Sequence, residues 1–173
     1  MVRENMQLEG FDFNKTFAPI LKMTSVPIFL LVAVAKKWEL HQMDVNNVFL
    51  HGDLEEDVYM HLPPNFTYSS PMKVCKLRKS LYGLRQAPSQ WFAKLSSTLF
   101  AHRFARSYVD YSLFAYQNSN IFLALLVYVD DITLARNDSK ACAQFKTYLN
   151  NHFPIKVLSP LKYFLGIKVP KGP

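Results

Sequence analysis

The sequence is poor in the residues that build disulfide scaffolds and metal clusters. Its 173 residues include only two cysteines and five histidines. Neither type recurs at the short spacing that a zinc site requires. We therefore expect Cys75 and Cys142 to be ordinary thiols of a reducing compartment, and we expect neither zinc nor a disulfide framework.

The chain also lacks long hydrophobic runs. The longest, residues 28–35 and 121–129, are far shorter than the roughly 20 residues that cross a bilayer as a helix. Residues 1–10 are polar and charged, unlike the start of a secretory signal peptide. We therefore expect an intracellular, non-secreted protein without a membrane partner.

Apolar and basic residues are abundant instead. Apolar residues make up 50% of the chain and aromatic residues 14%, which is enough for a packed core and argues against disorder. The net charge of +7 suits a polyanionic partner. Five basic residues fall within residues 73–85, where they either contact phosphates or form the solvated edge of a strand. That run alone favours the strand edge.

Hydrophobic periodicity predicts an α+β domain, an antiparallel sheet backed by helices. The predicted helices span residues 25–37, 88–103 and 139–151, and the predicted strands span residues 38–45, 58–62, 74–77, 113–116, 121–129, 132–135 and 163–169. The strand over residues 121–129 is apolar on both faces, which is typical of a central strand.

The first predicted helix has a start signal and an apolar stripe. Ser25 is a suitable N-cap residue. Ile28, Leu31, Val32 and Ala35 recur at helical spacing. We therefore expect these four side chains to face the core.

Three aspartates stand at predicted strand ends. Asp130 and Asp131 follow the central strand, and Asp44 ends another. An Asp-Asp pair alone is weak, because aspartate is common in turns. Adjacent strands would bring Asp44 beside Asp130, however, and three close carboxylates repel one another unless a cation lies between them. Mg²⁺ prefers such oxygen ligands, so the pattern predicts a two-metal site for phosphoryl transfer.

Five segments, in order across residues 8–169, resemble the motifs of copia-type retrotransposon reverse transcriptases. They are FAPILKM (17–23), QMDVNNVFLHGDLEEDVYM (42–60), KSLYGLRQAPSQW (79–91), LVYVDD (126–131) and PLKYFLGI (160–167). The chain is accordingly identified as resembling the RNA-directed DNA polymerase domain of a Pol polyprotein.

The resemblance implies a right-hand polymerase palm with partial fingers. The fingers would comprise approximately residues 1–37 and 55–80, and the palm approximately residues 38–54 and 81–169. No thumb or RNase H domain is matched, so we expect a fragment. The implied reaction is two-metal nucleotidyl transfer from dNTPs to a primer 3′-OH on an RNA or DNA template.

The resemblance also implies roles for single residues. The catalytic carboxylates would be Asp44, Asp130 and Asp131, which with Val45 would bind two Mg²⁺ ions, Mn²⁺ being able to substitute. The nucleotide pocket would comprise Val45, Phe49, Gly83 and Gln86, and the template or primer contacts would be Arg85, Pro88, Tyr128 and Lys162. Phe49 stands at the aromatic steric gate; without the motif around it, the same residue would be read as a core phenylalanine.

Further partners follow from the family: the integrase and RNase H regions of the polyprotein, in a cytoplasmic virus-like particle or in the nucleus. Two alternatives stay open, a catalytically inactive remnant that at most binds nucleic acid and a metal-dependent nuclease. Val48 and Arg136 depart from the family pattern, which has a small residue and a glycine near these positions.

Overall fold

The fold comprises two compact units, residues 1–18 with 48–94 and residues 19–47 with 95–173. The computed structural model describes residues 7–8, 18, 21–62, 74–161, 163–164 and 166–168. No helix within these ranges is both long and apolar enough to cross a membrane.

The elements alternate between helices and short strands. In chain order they are α1 (Ser25–Ala35), β1 (Glu39–Val45), a 3₁₀ turn (Val48–His51), β2 (Tyr59–His61), β3 (Val74–Lys76), α2 (Ala87–Ala101), β4 (Ala105–Arg106), β5 (Leu113–Asn118), β6 (Ile121–Tyr128), β7 (Asp131–Arg136), α3 (Ser139–His152), β8 (Ile155–Pro160), β9 (Tyr163–Phe164) and β10 (Ile167–Lys168). The three predicted helices and the α+β class are confirmed.

The larger unit is built on a six-stranded sheet in the order β4-β5-β6-β7-β1-β8. Every pairing in it is antiparallel. The apolar strand β6 lies inside the sheet, and five consecutive residues from Leu123 to Val127 are buried. Its predicted central position is therefore confirmed.

Helices cover both faces of this sheet. Phe29 and Leu30 of α1 belong to one buried cluster with Leu126 and other sheet residues. On the opposite face Lys146 of α3 lies near His41 of β1. Phe145 packs against Phe104, which precedes β4, with 4.9 Å between ring centroids. Asp138 is the N-cap of α3, and its side chain accepts a hydrogen bond from the N–H of Ala141.

The predicted core face of α1 is wrong. Its buried residues are Val26, Phe29, Leu30 and Ala33. By contrast, Ile28 is 61% and Leu31 is 69% exposed, and Val32 and Ala35 are exposed as well. The helix carries no polar residue after Ser25, so its sequence has no polar stripe to mark the outer face.

The predicted N-cap of α1 is also wrong. The N-cap is Thr24, which makes no side-chain capping hydrogen bond, and Ser25 lies inside the helix. Helical backbone at Thr24 lacks the extended geometry in which a cap side chain reaches the first free amides.

The C-terminal strands differ from the prediction in two ways. The strand predicted over residues 163–169 is instead the hairpin of β9 and β10, with Gly166 at φ 81°. Strand β8 was not predicted, although it pairs with β1. Its sequence, with Lys156, Ser159 and Pro160, lacks the alternation of a half-buried strand and suits a sheet edge.

The smaller unit has a core of its own. Its fully buried members Val58, Leu84 and Ala87 pack with partly buried leucines and Phe49. The strands predicted over residues 58–62 and 74–77 are confirmed as β2 and β3, which pair antiparallel.

Gly52 lies close to the first turns of α2. A Cβ atom at this position would lie 3.0 Å from the Cβ of Gln90 and 3.1 Å from the backbone nitrogen of Trp91. The Gly52 carbonyl accepts a hydrogen bond of 3.0 Å from the N–H of Ser80. A side chain at residue 52 would therefore push the segment away from α2.

Candidate active site

Asp44 and Asp131 face each other across neighbouring strands. They are register partners in the pairing of β1 with β7. The N–H of Val45 donates to the carbonyl of Asp130 at 3.1 Å, so Asp44 and Asp131 form the adjoining non-hydrogen-bonded pair. Such pairs bring Cα atoms to about 4.5 Å and side chains to their closest approach. Both aspartates are half-buried, and like charges directly opposite destabilise a sheet.

Asp130 lies in the turn that joins β6 to β7. Tyr128 pairs with Asp131, which leaves a two-residue turn whose first residue, Val129, has φ 55°. A positive φ at that position alone is the pattern of a type II′ turn, where glycine is preferred. A β-branched residue there is strained, and Asp130 is the second residue of this strained turn.

The register partner of Asp44 is Asp131. Strand β7 lies between β1 and β6, so the side chain opposite Asp44 belongs to Asp131. Asp130 meets β1 through its backbone carbonyl. Period-2 alternation alone could not show this, because the register depends on which two strands are neighbours.

Gln42 is a functional candidate that sequence reasoning missed. It lies two residues before Asp44, on the same face of β1, and its Nε2 donates to Oδ1 of Asp131 at 2.9 Å. The only sequence signal was its place in the alternating series that ends at Asp44.

The carboxylates of Asp44 and Asp131 have the chemistry that a hard divalent cation requires. A cation between the two strands would be bound by carboxylate oxygens from both, and its positive charge would offset the repulsion between the carboxylates. Within the part of the chain that the structure describes, no three His, Cys, Asp or Glu side chains are grouped closely enough to hold a metal ion. The register thus brings together two of the three predicted carboxylates and leaves Asp130 in the adjacent turn.

Two other predicted residues lie on these strands. Val45 ends β1 and is 2% exposed, with its N–H bonded to Asp130. Tyr128 ends β6 and is 41% exposed. Lys162, predicted to contact the primer, lies outside the described residues.

The remaining predicted pocket residues belong to the smaller unit. Phe49 is half-buried and meets the ring of Tyr82 edge-on, with centroids 4.5 Å apart. It also packs against the core of that unit, which is the behaviour of a core phenylalanine. Gly83 has φ 91°, a conformation that favours glycine.

Gln7 forms hydrogen bonds with two residues that are predicted to contact nucleic acid or nucleotide, Arg85 and Gln86. Its Nε2 donates to Oε1 of the fully buried Gln86 at 3.0 Å, and its Oε1 accepts from the backbone N–H of Arg85 at 2.9 Å. Pro88 lies in the first turn of α2 and is half-buried. Gln7 carried no signal in the sequence, because it stands far from any motif.

Two members of the basic run, Lys76 and Lys79, are paired with acidic side chains. Asp53 accepts hydrogen bonds from Lys79 and, at 3.0 Å, from Lys94. The hydrogen bond with Lys79, and to a smaller extent the one with Lys94, lowers the pKa of Asp53. Lys76 pairs with Asp57 at 2.6 Å, which raises the pKa of the lysine. For Lys76, on strand β3, the solvated strand edge is the better interpretation.

A second polar group lies on the opposite face of the large sheet. Arg136 donates through Nε to Nε2 of His41 at 3.0 Å and forms an ion pair with Glu39. Burial, with smaller contributions from Lys146 and Arg136, lowers the pKa of His41. Arg136, which stands near a glycine of the family pattern, does not have a positive φ, so its backbone is not in the left-handed region that favours glycine.

Comparison with known proteins agrees with this order of motifs. A family model described as reverse transcriptase (RNA-dependent DNA polymerase) matches residues 1–172. Two retrovirus-related Pol polyproteins of Arabidopsis thaliana, from transposons RE1 and RE2, are 44% and 43% identical to the chain, over 168 and 170 residues. That from transposon TNT 1-94 of Nicotiana tabacum is 41% identical over 165 residues.

These alignments cover 94% to 96% of the chain but only 12% of each relative. The chain thus spans 12% of the length of these Pol polyproteins. Since the family model extends over almost every residue, the chain belongs to the reverse transcriptase family, within the group found in copia-type Pol polyproteins.

Proposed function

We propose that the chain is the RNA-directed DNA polymerase domain of a copia-type retrotransposon and adds dNTPs to a primer 3′-OH. The observation that carries this proposal is the opposition of Asp44 and Asp131 in a non-hydrogen-bonded pair, with Asp130 in the strained turn beside them. Repulsion between opposed carboxylates destabilises the sheet. A role in binding cations would explain why both carboxylates are present.

Asp44, Asp131 and Asp130, with the carbonyl of Val45, are the residues that would hold two Mg²⁺ or Mn²⁺ ions. When bound, such ions activate an attacking hydroxyl and stabilise a leaving phosphate oxygen. The chain's own contribution would be to position the carboxylates, through the β1–β7 register for Asp44 and Asp131 and through the turn for Asp130.

The six-stranded sheet would be the palm. Helix α1 would belong to it, because Phe29 and Leu30 pack on that sheet, although the sequence boundary assigned residues 1–37 to the fingers. The smaller unit would contribute the fingers and the nucleotide-pocket residues Phe49, Gly83 and Gln86. Arg85 and Pro88 would contact the template or primer, as would Tyr128.

Primer extension tests the proposal directly. The purified chain should extend oligo(dT) on poly(rA) with Mg²⁺ or Mn²⁺, and Asp44→Asn should abolish extension. Asp57→Asn is the matched control, because it removes the same charge from an exposed residue outside the predicted site. Extension that survives Asp44→Asn would contradict the assignment.

One observation favours the second candidate, an inactive remnant that at most binds nucleic acid. Among the described residues no group of three potential ligands is assembled for a metal. For such a remnant we expect salt-dependent binding to a primer–template without nucleotide incorporation at any Mn²⁺ concentration. Incorporation that requires Asp44 would exclude it.

The further partners are proposals of the same kind. The template, the primer and dNTPs would be bound by this chain, and the integrase and RNase H regions would belong to the same polyprotein. The proposed location is a cytoplasmic virus-like particle or the nucleus. Co-purification of the chain with particles from cells that express the element would test this location.

A further inference from the structure

The side chain of Gln42 contacts the proposed centre. Its side-chain amide reaches diagonally from β1 to Oδ1 of Asp131 on β7, a donor–acceptor distance of 2.9 Å between residues far apart in the chain. The residue directly opposite Gln42 is Thr133, and all three side chains lie on one face of the sheet.

A second polar group, the hydroxyl of Thr133, lies opposite Gln42 on β7. Thr133 is 0% exposed, and its hydroxyl has no hydrogen-bond partner. Nε2 of Gln42 is bonded instead to Oδ1 of Asp131, and a hydrogen bond to a carboxylate is stronger than one between neutral groups.

The type of donor matters for a site that binds cations. A lysine or arginine at residue 42 would neutralise Asp131 and compete with a metal ion, whereas an amide orients the carboxylate and adds no charge. The bond uses Oδ1, so Oδ2 is not consumed by this contact. Hydrogen bonds that orient metal-binding carboxylates are a recurring device in metal sites.

We propose that Gln42 is a positioning residue that fixes the orientation of the Asp131 carboxylate for cation binding. This inference rests on the proposed function, because it assigns Asp131 to the metal site. Gln42 itself would touch neither the nucleotide nor the metal.

The test measures Mn²⁺ affinity of the full chain by electron paramagnetic resonance, in the absence of nucleic acid and nucleotide. Gln42→Met and Gln42→Leu remove the amide donor and replace it with an apolar side chain of similar size. Thr133→Val, opposite Gln42, is the matched control because it changes the same packing without touching the bond. Urea midpoints establish that each variant is folded.

Both Gln42 variants should bind Mn²⁺ about tenfold more weakly than the wild type, and Thr133→Val should bind within twofold of it. In primer extension, Gln42→Met should lower kcat with little change in KM for dNTP, and added Mn²⁺ should restore much of the rate. Added Mn²⁺ should not rescue Asp44→Asn.

The outcomes separate two failures. If Asp44→Asn weakens Mn²⁺ binding but both Gln42 variants equal the wild type, the positioning role is wrong and the proposed centre stands. If Asp44→Asn binds Mn²⁺ as the wild type does, the proposed metal centre itself is wrong. If Thr133→Val and Gln42→Met lose the same amount of Mn²⁺ affinity, the loss is due to packing and the positioning role is wrong.

Discussion

Replacing Asp44 by Asn should stabilise the metal-free protein while it removes activity. The change keeps the size of the side chain and removes one of two like charges at directly opposite positions. Cross-strand charge pairs are worth roughly 0.2–1 kcal/mol. Because both aspartates are half-buried, screening by water is incomplete, and we expect a gain near the upper end, about 1 kcal/mol.

Urea unfolding in EDTA measures this gain. With a slope of about 1–3 kcal/mol per molar urea, the midpoint of Asp44→Asn should rise by roughly 0.5 M. Addition of Mg²⁺ should raise the midpoint of the wild type, since a ligand that binds only the folded state stabilises it. The same addition should leave the variant nearly unchanged.

Asp57→Asn controls for net charge, because it removes one negative charge from an exposed ion pair, and its midpoint should move little. If Asp44→Asn is no more stable than the wild type in EDTA, the opposed carboxylates do not repel as the register implies. A Mg²⁺ response that persists in the variant would place the cation elsewhere.

Three further predictions concern the fold. Gly52→Ala should destabilise the protein by about 1–3 kcal/mol in urea unfolding, because the new methyl group would crowd Gln90. Leu30→Ala should cost about 2–5 kcal/mol and Leu31→Ala less than about 0.5 kcal/mol; the reverse order would contradict the observed face of α1. Burial lowers the pKa of His102, so stability should hold above pH 6.5 and fall below it, where the unfolded chain gains a proton first; the urea midpoint of His102→Phe should depend less on pH.

Elements with a clear polar-apolar contrast could be predicted from the sequence. Helix α3 and strand β6 match their predictions because a cap residue marks the first and two apolar faces mark the second. The buried face of α1 could not be predicted, because its residues are apolar on every side. Strand β8 could not be predicted because a strand at the edge of a sheet needs few apolar residues, so its sequence shows no clear strand pattern.

The candidate site was predictable in its residue types but not in its pairing. Asp44, Asp130 and Asp131 stood out because they lie at or next to predicted strand ends and the family motifs surround them. That Asp44 opposes Asp131 follows only from the strand order. The bond from Gln42 to Asp131 depends on rotamers across two strands that are distant in sequence, for which a single chain carries no local signal.

The strand order also determines when the centre can form during folding. Strands β5, β6 and β7 follow one another and pair as hairpins, so they close short loops. Strand β1 must join β7 across a long stretch of chain, and such distant pairings form slowly because more chain entropy is lost first. We therefore expect Asp44 to come opposite Asp131 late in folding. Their repulsion then acts only after the β5–β6–β7 hairpins have formed and stabilise the sheet.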